Sequence, residues 1–459
     1  METKGDQNGN KRRSKKLSLV TDRQSSLSNR VPLLLVAVLA LSSVTAYWGP
    51  DLPRGPYCGK QNVCCTNRQD ECSHEILNSL CYCDEFCKRE GSHDDCCPDY
   101  EPVCKGIEIP VEEQKKGCQH NGQYYIPGDI RMDDCNSCEC IYNSATKDAT
   151  WKCENDQCII TDEVLQGIRH AHASWRAFNY TQFFGKKLKD GLTYKLGTLE
   201  LSALTKRMGA IRYDKNIDYA RDFDARKRWP NYISPIIDQG WCGSDWAVAI
   251  AGVASDRFAI QSNGAENMVL SPQTLLSCNN RHQRGCDGGN IDVAWNFAIR
   301  HGLVDLQCFP YKATKVRCPF RPSGNLIDDG CRPPVTQRTS RYRVGPPGRL
   351  QNEKDIMYDI MESGPVQAIL TVYQDFFHYQ GGVYRRSGLG NNQLKGLHSV
   401  RIIGWGEERG DKYWIVANSW GTEWGENGYF RIARGVNESG IESFVITVLA
   451  EVTEAYQRK

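Results

Sequence analysis

Apolar positions follow different patterns in different parts of the chain, and each pattern predicts a different element. A small and apolar run, Ala247-Val248-Ala249-Ile250-Ala251-Gly252-Val253-Ala254, follows the glycines at 240 and 243. It predicts a buried helix from about Asp245 to Ser262, with Ser244 or Asp245 at the N-cap. Such a helix start aims bare N–H groups and a partial positive charge at whatever lies above it, which suits a thiolate or an anionic ligand. Further on, Tyr429-Phe430-Arg431-Ile432-Ala433-Arg434 alternates apolar with polar residues. That period predicts antiparallel strands. Between Cys58 and Cys104 large aliphatic residues are few, so this stretch cannot build a sufficient core and crosslinks must hold it.

A third pattern is the continuous apolar run of eleven residues from Val31 to Leu41. Eight Lys or Arg against three acidic residues precede it within positions 1–30, and Val44-Thr45-Ala46 offers small residues after it. Residues 1–46 therefore read as a secretory signal peptide with a long basic leader, cut after about Ala46. The alternative is an uncleaved anchor, but only 17 uncharged residues run from Val31 to Tyr47, short for a hydrocarbon layer of about 30 Å. No second apolar span follows, so a channel or transporter is excluded and no stable membrane span is expected.

The 22 cysteines fall into blocks of ten (Cys58–Cys104), six (Cys118–Cys158) and six (Cys242–Cys331). Even blocks separated by cysteine-free segments favour three self-contained disulfide frameworks and an oxidising compartment. No His pair stands beside them at ligand spacing, so neither a metal nor a cofactor is expected. A net charge of +2 gives no general affinity for nucleic acid. Asn179-Tyr180-Thr181 and Asn437-Glu438-Ser439 are sequons that a secreted chain can carry glycosylated or bare.

Three long segments carry a family resemblance. Asp238-Gln239-Gly240-Trp241-Cys242-Gly243-Ser244-Asp245-Trp246 resembles the active-site segment of the papain family, in its cathepsin B branch. Leu397 to Gly406 resembles the strand that bears the catalytic His, and Tyr413 to Phe430 the segment whose Asn orients that imidazole. The resemblance spans roughly residues 221–450 and implies an α+β, two-lobed, papain-like domain, a helical lobe beside an antiparallel β-barrel lobe, with the small disulfide-rich modules ahead of it. It places Gln239 at the oxyanion hole, His398 and Asn418 in the catalytic pair, and Trp420 as their shield. It also implies a Cys242–Cys286 bridge, with Cys278, Cys308, Cys318 and Cys331 in two further bridges of open partnership. Trp241 and Gly288-Gly289 belong to the cleft. At the position of the nucleophilic cysteine stands Asp245.

A carboxylate is a feeble nucleophile toward an amide, and loss of a triad nucleophile removes on the order of 10⁶ in rate. The domain therefore reads as a pseudopeptidase. Asp245 then has two compatible readings: a helix cap, and an ion pair with His398 that imitates the family's resting thiolate and imidazolium. Cys242 as a substitute nucleophile is disfavoured by its expected bridge. Carboxydipeptidase activity is disfavoured as well, because the segment from Cys318 to Cys331 has no His.

Ahead of the papain-like domain, residues 54–105 resemble a somatomedin B module with extra half-cystines at its start, and residues 117–158 a truncated von Willebrand factor type C module. Residues 159–220 look like the remnant of a cathepsin B-type propeptide, expected to stay attached, and 451–459 form a polar tail. This order resembles the tubulointerstitial nephritis antigen family, in which Ser commonly occupies the position held here by Asp245. The resemblance implies a secreted matrix glycoprotein that binds laminin- or collagen-type components, cell-surface receptors, or a secreted Wnt-type morphogen. The competing function is a weakly active or lysosomal papain-family peptidase.

Overall fold

The structure is a computed structural model that describes residues 56–453, apart from 62, 77–78, 89–94, 108–116, 172, 214–216, 322–324, 328 and 332–337. The expected signal peptide, most of the Glu/Lys-rich linker and residues 454–459 of the tail lie outside the described residues. The chain divides into two compact units, residues 1–109 and 110–459.

In the first unit a short helix Cys58–Gln61, an antiparallel pair Ser73–Ile76 and Ser79–Tyr82, and a helix Tyr100–Cys104 surround a core made mostly of sulfur. Bridges Cys58–Cys83, Cys64–Cys104, Cys65–Cys72, Cys81–Cys97 and Cys87–Cys96 supply it, with Tyr100 and Ile76 as the large apolar contributions. That is the composition expected where a chain too short for a hydrophobic core depends on crosslinks.

The second unit begins with two small sheets, Cys118–His120 paired with Gln123–Tyr125, and Ile130–Asp133, Asn136–Asn143 and Asp148–Cys153 in sequence. Cys118–Cys140, Cys135–Cys158 and Cys138–Cys153 tie them together. This module is anchored to the large domain through Gln374. Gln157 Nε2 donates to Gln374 Oε1 at 2.9 Å, and Gln374 Nε2 donates to the Cys158 carbonyl at 2.9 Å.

Residues 159–220 are built into the large domain. Thr161 caps a helix Asp162–His170 by accepting the Val164 N–H, and the helix buries Val164, Leu165 and Ile168. Strand Trp175–Ala177 then joins the large sheet as an edge strand against Tyr379–Tyr384. That sheet has nine strands. Its order is Gly348–Leu350, Val445–Thr447, Val366–Val372, Gly396–Glu408, Asp411–Ala417, Tyr429–Ala433, Tyr379–Tyr384, Trp175–Ala177, with Phe223–Asp224 added to Gly396–Glu408. The pairing is antiparallel as expected except between Tyr379–Tyr384 and Tyr429–Ala433, which run parallel. Val164, Trp175, Phe183 and Leu196 share one core with Phe376, Trp405, Trp420 and Phe430, so the propeptide-like residues and the barrel lobe are one hydrophobic body.

The helical lobe contains Asp245–Gln261, Pro272–Cys278 and Ile291–Arg300. The first of these is apolar on all sides and buried along nearly its whole length, as its sequence predicts. Two buried ion pairs fasten it to the barrel lobe. Arg257 bonds Asp359 and also donates to the carbonyls of Pro365, Gly364 and Val448; Arg401 bonds Asp256.

Candidate functional site

The site lies where the first turn of the helix Asp245–Gln261 meets the strand Gly396–Glu408. Ser244 occupies the N-cap position but makes no capping bond; its hydroxyl turns to the Tyr311 hydroxyl instead. Asp245 is the first helical residue, so neither it nor Ser244 serves as the side-chain cap expected from the sequence. The Asp245 carboxylate points across the cleft, and it is fully buried.

Four groups meet that carboxylate. The Gly197 N–H donates to Oδ1 at 2.5 Å; the Thr198 hydroxyl and the Ser399 N–H donate to Oδ2 at 2.6 and 2.8 Å. His398 Nδ1 lies 3.2 Å from Oδ2 but off the direction of a hydrogen bond. On the other side of the ring, Nε2 is 2.7 Å from Asn418 Oδ1. The expected Asp245–His398 pairing is thus present as geometry. Trp420 lies over the pair, 5.2 Å from the His398 ring and stacked on Phe377 at 5.0 Å, and is buried as a shield should be.

Two of the four groups come from the propeptide-like segment, none of whose residues the sequence singled out as part of the site. Residues 195–199 run through the cleft between the lobes. Thr198 forms bridges to Gly289 on one side and Leu397 on the other; the Gly289 N–H donates to the Gly197 carbonyl at 2.9 Å, and the Leu199 N–H to the Gly289 carbonyl at 3.0 Å. Gly288 and Gly289 therefore do line the cleft, but against the chain's own strap. The fit requires glycine at 197: a Cβ there would stand 1.8 Å from the Gly243 carbonyl oxygen. The signal available in the sequence was that glycine inside the extended-looking Leu196-Gly197-Thr198, which marks close approach of another backbone.

A buried donor chain ends on Asp245. The Trp295 indole donates to Gln367 Oε1 at 2.6 Å, and the Gln367 amide to Ser399 Oγ at 3.1 Å. The Ser399 hydroxyl lies 2.8 Å from Thr198 Oγ1, whose own proton goes to Asp245. Each hydroxyl has one proton to give, so the direction of the whole chain is fixed by the acceptor-only carboxylate at its end.

The other expected residues are also occupied by the chain itself. Gln239 Nε2 donates to the carbonyls of Cys242 at 2.9 Å and Lys195 at 3.3 Å, and the Trp420 indole reaches the Lys195 carbonyl at 3.3 Å. The Ser419 hydroxyl holds Gln239 by its Oε1 at 2.6 Å. The Lys195 ammonium is buried 5.8 Å from the Phe183 ring centroid, 5.5 Å from that of Trp241 and 3.8 Å from Asp238 Oδ1. Burial pushes this amine below its ordinary value, and Asp238 opposes the shift. Trp241 is half-buried and covers the strap from outside, with Lys186 5.3 Å from its ring centroid.

No thiol remains in the molecule. All 22 cysteines are bridged, Cys242 to Cys286 as the resemblance implied, with Cys278–Cys318 and Cys308–Cys331 resolving the partnership left open. Among the described residues, the three groups close enough to share a metal ion each contain cysteines already in disulfides. Among the same residues no helix is long and apolar enough to cross a membrane.

Known proteins agree with this architecture. The papain family cysteine protease profile matches residues 219–449. Human tubulointerstitial nephritis antigen-like is 40% identical over 423 residues, 87% of this chain and 89% of that protein. Human tubulointerstitial nephritis antigen is 39% identical, covering 88% of each. A Caenorhabditis elegans cathepsin B-like cysteine proteinase 4 is 39% identical over 266 residues, 51% of this chain and 77% of that protein. Among solved structures, procathepsin B S9 from Trypanosoma congolense superposes with a TM-score of 0.53 at 28% identity, covering 64% of this chain and 99% of its own. With similarity running through the cysteine-rich modules as well as the papain-like domain, the chain belongs to the tubulointerstitial nephritis antigen family.

Proposed function

We propose that this protein is a secreted, non-enzymatic binding protein of the extracellular matrix whose papain-like domain performs no peptide hydrolysis. The observation that carries the reading is the state of Asp245. Acyl transfer in the papain family needs a thiolate attacking a carbonyl held in an oxyanion hole. Here every cysteine is bridged, and the residue in the nucleophile's place accepts hydrogen bonds from Gly197 and Thr198 of the same chain. Gln239, at the oxyanion-hole position, donates to the chain's own carbonyls at Lys195 and Cys242, and the shielding Trp420 donates to that of Lys195.

On this reading the acid at 245 does two things. It removes the attacking atom, and it fixes the propeptide-like strap by charge-assisted hydrogen bonds in a buried site, where such bonds are strongest. The strap is a lasting part of the domain, and the cleft is closed to outside peptides. Contacts with partners then fall to the cysteine-rich modules and the outer surface. Laminin- or collagen-type matrix components, cell-surface receptors and a secreted Wnt-type morphogen are the partner classes that the family resemblance implies.

Secretion is supported by the eleven bridges and the signal-like amino end. Both sequons fit glycosylation. Asn437 is exposed in a left-handed turn with φ +52°. Asn179 is half-buried, with Oδ1 3.0 Å from His378 Nδ1 and Nδ2 in an exposed contact 3.5 Å from Asp162. The test is incubation of purified full-length protein with fluorogenic and internally quenched peptides. No turnover above that of His398→Ala is expected, and clear His398-dependent turnover restores the peptidase reading.

A further inference from the structure

Several exposed or half-exposed arginines of the large domain are neutralised by a carboxylate: Arg226 by Asp224, Arg385 by Asp411, Arg431 by Glu426 and Glu408, Arg321 by Asp329. One surface of the helical lobe departs from this. The loop after the helix Pro272–Cys278 carries Arg281 and Arg284, and the segment 311–318 carries Lys312, Lys315 and Arg317. All five are exposed, and among the described residues none of these side chains has a hydrogen bond or a carboxylate at ion-pair distance. The same two stretches hold one carboxylate, Asp287, and an exposed His282 in a left-handed turn with φ +58°.

The two stretches are fixed side by side. Segment 311–318 lies along the helix Pro272–Cys278: the Lys312 N–H donates to Gln273 Oε1 at 2.8 Å, Gln273 Nε2 to the Thr314 carbonyl at 2.8 Å, and the Val316 N–H to Ser277 Oγ at 3.1 Å. Cys278–Cys318 closes its far end. The other loop is pinned by Cys242–Cys286. Between them Gly285 rests on Lys315, leaving room for a Cβ only 3.3 Å from Lys315 Cδ, and the Cys286 sulfur is 3.7 Å from the Ala313 carbonyl oxygen. The five charges therefore form one surface whose backbone is held by two disulfides.

We propose that this surface binds a sulfated polysaccharide. Each of its cations is solvated, and a single exposed pairing contributes little, about 0.2–1 kcal/mol. None is buried in a cradle that would select one small anion. A polymer with repeated strong-acid groups overcomes this by touching several cations at once and releasing its condensed counterions, as polyanions do on basic surfaces. Arg offers paired donors to an oxyanion and Lys a point charge, and sulfate groups accept from both. The choice of a sulfated polysaccharide over nucleic acid rests on the extracellular reading proposed above; the charged surface itself does not.

The test uses purified full-length protein and immobilised heparin, with hyaluronan and duplex DNA as comparison polymers. A variant with Arg281, Arg284, Lys312, Lys315 and Arg317 all changed to Ser is set against a control of equal charge, with Lys147, Lys152, Arg207, Arg212 and Lys354 changed to Ser. These control residues are exposed and lie elsewhere in sequence. Wild type is expected to bind heparin at physiological ionic strength, with affinity falling steeply with salt. The first variant is expected to bind about tenfold or more weakly and with a shallower salt dependence, the control within about twofold of wild type. Thermal melting of both should match wild type, since surface changes of this kind leave stability nearly unaltered. Equal loss in the two variants, no heparin binding by wild type, or hyaluronan or DNA binding as tight as heparin would each overturn the proposal. Peptide hydrolysis by the same preparation would refute the non-enzymatic reading and leave the heparin result standing.

Discussion

The Gly197 N–H donates to the Asp245 carboxylate at 2.5 Å, across 48 residues of chain. This contact joins a residue of the propeptide-like segment to the position a papain-family enzyme gives to its nucleophile. It makes the strap and the substitution parts of one arrangement.

The simplest attempt to revive the enzyme should therefore fail. Asp245→Cys restores a sulfur, but Gly197 and Thr198 still fill the cleft around it, and Gln239 and Trp420 remain engaged. The full-length single variant is expected to show no peptide turnover and slow labelling by an epoxide-type thiol probe. Combining it with Gly197→Val, which forces the strap from Gly243, is expected to raise labelling about tenfold or more if the rest of the apparatus is intact. Rapid labelling of the single variant would mean that the strap does not block the site.

Gly197→Ala tests the closeness of the strap itself. Its new Cβ would fall 1.8 Å from a backbone oxygen that no side-chain rotation can move. Overpacking of this kind costs about 1–3 kcal/mol. The variant should melt lower and be cut by added protease within residues 195–213 under conditions that leave wild type whole. Unchanged melting and protection would contradict this close packing.

Thr198→Val keeps the shape and deletes the hydroxyl that links Ser399 to Asp245. A buried carboxylate loses one donor and Ser399 loses its acceptor, a cost of about 1–3 kcal/mol. Thr198→Ser keeps the hydroxyl and should recover most of that loss in urea melts. Equal melting midpoints for Val and Ser would show that the donor chain contributes no stability.

Acid should weaken the fold through His378. This ring is fully enclosed, and burial pushes it down to about 4 from an ordinary 6.5. Between those values the unfolded chain binds a proton that the folded chain does not, so stability is complete above pH ~6.5 and falls as the pH drops toward ~4. The loss attributable to this group approaches about 3 kcal/mol. His378→Gln should flatten the stability profile over that window, measured by urea midpoints at several pH values. A profile as steep as wild type would assign the acid sensitivity elsewhere.

Much of this architecture is legible in the residues, for identifiable reasons. Even cysteine blocks implied complete bridging, and all 22 are bridged. The apolar run after Gly243 gave the helix to within a residue, because a helix buried on all sides needs no partner to be recognised. The cap's position at Ser244 was legible but its bond was not, because Tyr311 competes for the hydroxyl. Which residues of the strap meet Asp245 was not legible. Gly197 and Asp245 meet only after two lobes assemble, and strand Trp175–Ala177 takes its identity from the sheet edge it covers rather than from its own three residues. Long-range pairings of this kind leave little local trace in sequence.

The central claim is that Asp245 holds peptide without cutting it. The most direct measurement is intact-mass spectrometry of full-length wild type and His398→Ala after incubation with an activated peptide ester. The account predicts that both masses stay unchanged and that ester is consumed at the same background rate by each. A peptidyl adduct on Asp245, formed in wild type and absent from His398→Ala, would contradict it.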